Sequence, residues 1–346
     1  MKKQNQKIGL LAAISLIVGN MIGAGIFVLP ASLAKFGSIS ILGWIFTATG
    51  ALILAKIFSN FSKLISNKNG GPYLYSKVVF GDFIGFLVAW GYWISCWINN
   101  ADIAVAIVSA LSFFFPQLIN SPLYATITGL SFIWFFTWTS SMGVKSSGNI
   151  QIITTVAKIV PLLFIIIAGI FIFDYNIFPD FNITEKSDIE IFPLVCVMTL
   201  YAFLGIESAT IPASSIKNPN KIIPTATMIG TVISTLIYIF GTVILFGILP
   251  METLIDSPAP FAEAGNIIGG KYAGYFVSAG AAISAIGALN GWILITSYMP
   301  MSMANDDLFP KVFKNTNSKG SPIVSLVFGS ILTSFVMTMN FSRRLR

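Results

Sequence analysis

Gly19-Asn20-Met21-Ile22-Gly23-Ala24-Gly25-Ile26 lies in the middle of an otherwise apolar run from 9 to 34. A plain membrane anchor has no use for three glycines and an asparagine at that depth. Glycine lets a helix unwind, and the freed N–H and C=O groups must then face protein, water or a ligand, because lipid cannot satisfy them. A second run, 190–213, is interrupted in the same manner by Tyr201-Ala202-Phe203-Leu204-Gly205-Ile206-Glu207-Ser208-Ala209, a glycine beside a carboxylate. Interrupted spans at corresponding places in two halves point to a transporter built from inverted repeats, with its site near the bilayer midplane. The two breaks fall in the first and sixth apolar runs, so repeats of five helices are expected. Glycine for close helix packing is the bland alternative; it explains one such span more easily than a pair.

The rest of the chain agrees with a membrane setting. Of its 346 residues 55% are hydrophobic and only 10% charged, with a mean hydropathy of +0.83, whereas a soluble domain carries about 25% charge. Nine runs approach the roughly 20 residues needed to cross a hydrocarbon core: 9–34, 38–57, 83–115, 123–142, 150–173, 190–213, 224–249, 271–300 and 322–340. They are continuous, unlike the alternating segments of about 10 residues in a membrane barrel, so an all-α polytopic bundle is expected. The first run could pass as a signal peptide, with Lys2, Lys3 and Lys7 before it, but the eight runs that follow and the polar Gly19-Asn20 argue against that. Lysine sets the orientation. With the N-terminus inside, Lys56, Lys63, Lys68, Lys77, Lys145, Lys217, Lys221, Lys311, Lys314 and Lys319 fall on the inner side, and only Lys35, Lys186 and Lys271 on the outer. The net charge of +7 is therefore topological and implies no nucleic acid partner.

Several chemistries are excluded. The chain holds no histidine, so it has no Ser-His-Asp or Cys-His triad and no histidine metal site. Cys96 and Cys196 sit inside apolar runs, which implies neither a disulfide framework nor a zinc site. No metal and no cofactor is expected. All three arginines, Arg343, Arg344 and Arg346, fall in the last four positions, and nine spans would leave them outside. The segment 341–346 reads as an aberrant tail, of the kind a frameshift near codon 340 would leave in the coding DNA.

Candidate site residues follow from the breaks. The half-helix after the first break would present the N–H groups of Ala24, Gly25 and Ile26 with its positive dipole end, which suits a carboxylate. Unwound carbonyls around Met21 and Leu204 would accept from an α-ammonium. Three ionisable residues lie within spans, Asp102, Lys158 and Glu207, and each costs about 2.5–3.5 kcal/mol at a helix centre, so each is a functional candidate. Glu207, at a break, is the foremost. Lys158 is expected to pair with an acid or to stand where sodium-coupled transporters hold their ion, and Asp102 to salt-bridge within the bundle. Tyr92, Tyr201 and Trp292 lie near these positions, where a ring face attracts a cation and blocks a path; Trp93 and Trp97 read as packing residues.

With Gly70-Gly71-Pro72-Tyr73, Lys217-Asn218-Pro219, Gly291-Trp292 and Asp306-Asp307-Leu308-Phe309-Pro310 added to the two breaks, the chain resembles the amino acid–polyamine–organocation superfamily. Within it the pattern is most similar to the basic amino acid/polyamine antiporters, in particular the arginine/agmatine exchangers, over about residues 7 to 339. The resemblance implies a LeuT-like fold of two inverted five-helix repeats followed by two further helices. Here that would be one transmembrane transporter domain, with 9–173 as the first repeat and 190–340 as an incomplete second one. It implies exchange of a cationic amino acid for its decarboxylated amine, in a bacterial cytoplasmic (inner) membrane, by a dimer. Carried over by position, Asn20, Met21, Ala24, Gly25 and Leu204 would hold the amino acid backbone, and Ser95, Cys96 and Asn100 would line the side-chain pocket. Tyr201 would be the outer aromatic gate and Trp292 the middle one. Tyr92 and Glu207 would form the inner gate, with Glu207 the proton-sensitive group.

The departures from that pattern are specific. The family commonly has serine at Ala24, and the arginine/agmatine exchangers have tryptophan at Tyr201 and no lysine at Lys158, whereas several proton-coupled amino acid symporters carry one. The tenth helix of the pattern has no counterpart among the nine runs. A proton-coupled symporter using Lys158 and an inactive, truncated remnant are thus the rival readings; a membrane enzyme or a channel finds no supporting motif.

Overall fold

The structure is a computed structural model that describes residues 7–65 and 68–342, so Lys2, Lys3, Arg343, Arg344 and Arg346 lie outside the described residues. It is helical, and among the described residues the sole β pairing is the bridge between Ile8 and Ile216. In chain order the helices are α1 (Leu10–Met21), α2 (Leu29–Ala34), α3 (Ile39–Leu64), α4 (Pro72–Phe80), α5 (Asp82–Ser112), α6 (Gln117–Asn120), α7 (Pro122–Ser141), α8 (Val144–Gly169), α9 (Asp188–Tyr201), α10 (Pro219–Phe246), α11 (Met251–Asp256), α12 (Pro260–Asn305) and α13 (Ile323–Ser342). Among the described residues α3, α5, α8 with its 3-10 extension to Ile172, α10 and α12 are each long and apolar enough to cross a membrane. The protein is a polytopic membrane protein.

The helix boundaries depart from the apolar runs where polar side chains are buried. α8 begins at Val144, six residues before the run expected at 150, because Val144, Ser147 and Gly148 lie inside the bundle rather than in a loop. α3 runs on to Leu64 rather than 57, carried by Ser59 and Ser62, whose hydroxyls bond back to the carbonyls of Ala55 and Ser59. α12 has a kink at Gly269 and Gly270, the latter with φ +69°, so the expected start at 271 is where its long second limb begins.

Connections gather at two ends. At one, Ser38 N–H donates to the Asp180 carbonyl and Asp174 N–H to that of Gly247, which joins the loops after α2, α8 and α10. At the other, Gly70 N–H donates to the Ile211 carbonyl, Ile8 N–H to that of Ser215, and Asn317 Nδ2 to that of Ser141. There α4 is fastened to the end of α12: Tyr73 OH donates to Asp306 Oδ2 at 2.7 Å, and Lys77 lies 3.1 Å from Asp306 and 3.2 Å from Asp82. Burial opposes the Lys77 charge, but those two carboxylates prevail and hold the ammonium above its ordinary pKa.

α1 is held between α8, α10 and α12. Its side chains Ala13, Leu16, Ile17 and Val18 belong to the largest apolar cluster, with Trp44 of α3 and Tyr238 of α10. Trp44 Nε1 donates to Thr242 at 3.0 Å and its ring packs on Phe203 and Tyr238. The segment whose glycines interrupt the first run therefore sits at the centre of the bundle, where freed backbone groups can find protein partners instead of lipid.

Candidate functional site

Both interruptions are real. α1 stops at Met21, Ile22 N–H closes the last turn on the Val18 carbonyl at 2.8 Å, and a 3-10 turn resumes at Gly25–Phe27 before α2. α9 stops at Tyr201, and 202–212 is a succession of turns ending in a 3-10 turn at Ala213–Ser215. The two breaks touch. Asn20 Nδ2 donates to Ser208 Oγ at 2.9 Å. Gly205 has φ +111°, and a Cβ there would fall 3.1 Å from Asn20 Cβ and 3.2 Å from Met21 N. Only glycine adopts that backbone at so close an approach without strain. Gly291 on α12 makes room for Asn20 Oδ1 in the same way, and Trp292 Nε1 reaches the Asn20 carbonyl at 3.3 Å.

The first break is held from behind. Lys158, fully buried on α8, donates to the carbonyls of Gly19 at 3.0 Å, Ile22 at 2.6 Å and Ser284 at 3.2 Å. Three N–H donors thus meet three acceptors. Ser284 Oγ on α12 reaches the carbonyls of Ile22 at 2.9 Å and Gly23 at 3.0 Å. The acid expected beside Lys158 is not there among the described residues; carbonyls freed by the unwound turn take its place. Asp102 departs from expectation too: it is exposed on α5, and it forms no ion pair among the described residues.

With its carbonyls occupied, the first break leaves its donors open. The N–H groups of Ala24, Gly25 and Ile26 reach no acceptor among the described residues, and beside Gly25 there is open space. On the second break the Leu204 carbonyl receives no hydrogen bond among the described residues, while that of Met21 on the first already accepts from Gly23 N–H at 3.1 Å. The arrangement offers donors suited to a carboxylate on one break and a free carbonyl on the other.

Glu207 is buried and bonded on both oxygens. Tyr92 OH of α5 donates to Oε1 at 2.6 Å and Gly205 N–H to Oε2 at 3.2 Å. Cys96 packs with Trp292 and Ala288, against Tyr92 and Ile103. Asn100 Nδ2 donates to Thr296 Oγ1 at 3.0 Å, and its buried Oδ1 has no partner among the described residues. Tyr92, Cys96, Asn100, Glu207 and Trp292 thus form a connected group reaching the breaks. Ser95 stands apart: it is exposed, and its hydroxyl turns back to the Tyr92 carbonyl. Tyr201 and Leu204 are 66% and 52% exposed, the Tyr201 ring packed on no other aromatic ring among the described residues. Trp93 is a packing residue as expected, set among Trp90, Phe309 and Phe328.

Sequence reasoning missed Ser208, Ser284 and Thr296, the small hydroxyls that join the breaks to each other and to α5 and α12. Serine and threonine are frequent in packed membrane helices, and nothing in their local sequence sets these three apart.

Comparison with known proteins places this geometry. The family model for amino acid permeases matches residues 8–344. The chain is 33% identical over 338 residues to the cadaverine/lysine antiporter of Escherichia coli strain K12, covering 96% of this chain and 75% of that protein. It is 31% identical over 351 residues to the arginine/ornithine antiporter of Pseudomonas aeruginosa, covering 98% and 72%. It is 32% identical over 352 residues to the arginine/agmatine antiporter of Chlamydia abortus, covering 97% and 72%.

Proposed function

The chain belongs to the amino acid permease family, and on that premise we propose a secondary transporter that exchanges a cationic amino acid for an amine by alternating access. Arginine, ornithine or lysine is the amino acid, and agmatine, putrescine or cadaverine the amine. The observation that carries the reading is the pair of touching breaks, with unbonded N–H groups at Ala24, Gly25 and Ile26 on one and an unbonded carbonyl at Leu204 on the other. A zwitterionic head group needs that pairing of donor and acceptor, and helix termini at mid-bilayer supply it. Cys96 and Asn100 then face the rest of the substrate, and Trp292, bonded to the Asn20 carbonyl, separates it from the Glu207–Tyr92 pair. Tyr201 closes the site on the other side.

The order of helices supports an inverted repeat, with 9–173 and 190–340 as its halves and the broken span first in each. Nine crossings with the N-terminus on the cytoplasmic face of a bacterial inner membrane put the lysine-rich connections inside. The chemistry is transport and not catalysis.

Counterflow in proteoliposomes tests the reading. Arginine, ornithine, lysine, agmatine, putrescine, cadaverine and neutral amino acids are offered in turn to vesicles loaded with labelled lysine. Accelerated efflux with cationic substrates alone is expected; acceleration by neutral amino acids alone overturns it. Lys158, seated on the carbonyls of the first break, supports the second reading, a proton-coupled symporter. Uptake that needs no internal amino acid and follows an inward proton gradient would select it.

A further inference from the structure

Beyond the two breaks, α12 and the continuation of the second break run together to the lysine-rich loop end and border a half-open cavity of about 260 Å³. Its lining includes Asn69, Ser214, Ser215, Tyr298, Asn305 and Lys319. Tyr298 stands six residues along α12 from Trp292, roughly 9 Å at the helical rise, so the cavity lies on the line from the breaks to that end of the bundle. Its floor is a strap tied down through its backbone: Ile8 N–H donates to the Ser215 carbonyl at 2.9 Å, Lys217 N–H to the Ile8 carbonyl at 3.0 Å, and Gly70 N–H to the Ile211 carbonyl at 2.9 Å. The strap side chains are thereby left to the cavity, where Ser215 Oγ meets Tyr298 OH at 3.1 Å. Asn69 Oδ1 accepts from Ser214 N–H at 2.9 Å, so what that amide can offer a ligand is its NH2.

The lining has one sign. Lys319 brings an ammonium, Asn69 an amide donor, and the hydroxyls can donate; no carboxylate lines the cavity. An ammonium entering it meets a like charge and no counter-charge, whereas a carboxylate meets a cation and several donors. The space equals roughly nine waters at about 30 Å³ each, room enough for a basic amino acid. An amino acid and its decarboxylated amine differ by that carboxylate alone.

We propose that this cavity is a second station of the transport path, which holds the amino acid by its carboxylate at the lysine-rich end and discriminates there against the amine. The proposal rests on the exchange reading above and adds the place where the two substrates are told apart. It is tested on the full chain with Lys319→Gln and Lys319→Arg, using equilibrium binding of labelled lysine and labelled cadaverine to the purified protein together with counterflow from each face of sided proteoliposomes. Lys319 is exposed at the cavity rim, so both variants retain the fold. Lys319→Gln is expected to weaken lysine binding and raise the lysine KM at the lysine-rich face by about two- to fivefold, the range of an exposed charge pair. Cadaverine should be unchanged or tighter, and Lys319→Arg should behave as wild type. Equal effects on lysine and cadaverine, or none on lysine, would overturn the station. A wild-type chain that binds with this selectivity but fails to exchange overturns the exchange reading and leaves the station standing.

Discussion

The two breaks solve the same problem by opposite means. In the first, the unwound turn is short, and its carbonyls are taken by side chains from other helices, Lys158 of α8 and Ser284 of α12. In the second, the turns of 202–212 bond largely among themselves. Ser208 N–H returns to the Gly205 carbonyl at 3.0 Å, Thr210 N–H and hydroxyl return to the Glu207 carbonyl, and the Glu207 carboxylate takes Gly205 N–H. One break is held mainly by side chains of other helices and presents donors; the other is held mainly by its own turns, with Asn20 on Ser208, Tyr238 OH on the Ala202 carbonyl and Tyr92 OH on Glu207 as side-chain ties to the rest of the bundle. With fewer side-chain ties to other helices than the first, the second break is the half-site expected to move when closure follows substrate binding.

The comparison fails first at Lys158. Lys158→Met strips the first break of two hydrogen bonds and α12 of a third, and leaves the buried Gly19 and Ser284 carbonyls without that donor, at a cost of about 3 kcal/mol or more. Thermal unfolding in detergent should show the largest drop in Tm of any single site variant, with exchange abolished. A variant as stable as wild type would mean that the first break is not held from behind. Next comes Gly205→Ala. The positive φ and the contact with Asn20 and Met21 make the alanine strained by about 1–2 kcal/mol, and the breaks should separate. Exchange should fall at least tenfold while Tm falls only a few degrees; an active variant would show that the breaks need not touch.

Glu207→Gln addresses the second break alone. Glutamine can still accept from Tyr92 OH, but its NH2 faces Gly205 N–H where a carboxylate oxygen had accepted. The pH dependence of exchange should flatten while substrate KM changes by less than about threefold, an effect of under 1 kcal/mol. An unchanged pH profile would remove Glu207 from proton sensing and leave it a local cap.

Much of this contrast was legible in the sequence, because a glycine or a carboxylate inside an apolar run has few uses in lipid. Asn20, Gly25, Gly205 and Glu207 marked both breaks, and the open donors at Ala24–Ile26 follow from the dipole argument. What holds each break was not legible. A buried lysine in a span reads as the partner of an acid or as a stand-in at an ion position, and neither reading names the unwound carbonyls 139 and 136 residues away that Lys158 bonds. The interruption expected from Tyr201 to Ala209 does fall where α9 ends, at Tyr201, but the turns that follow, closed by Ser208, Thr210 and Glu207, have no signature in an apolar run. α4 went unseen for the converse reason: nine residues with tyrosines and a lysine make no membrane signal, and its anchor Asp306 lies 233 residues from Tyr73.

The smallest effect is expected at Ser284, and it bears most directly on what the first break is for. Its hydroxyl contacts Ile22 and Gly23 carbonyls, but Ile22 is also held by Lys158, so Ser284→Ala frees only the Gly23 carbonyl outright. The loss should be about 1 kcal/mol, with little change in Tm. Gly23 directly precedes the open N–H groups of Ala24 and Gly25, so loosening it should misplace those donors. The amino acid KM should therefore rise several-fold at near-constant kcat, with the amine, which lacks the carboxylate those donors suit, unaffected. Ser284→Thr keeps the hydroxyl and should restore wild-type KM. If Ser284→Ala instead lowers Tm and leaves both KM values alone, the side chains behind the first break only support the fold, and the division into a fixed half-site and a mobile one does not hold.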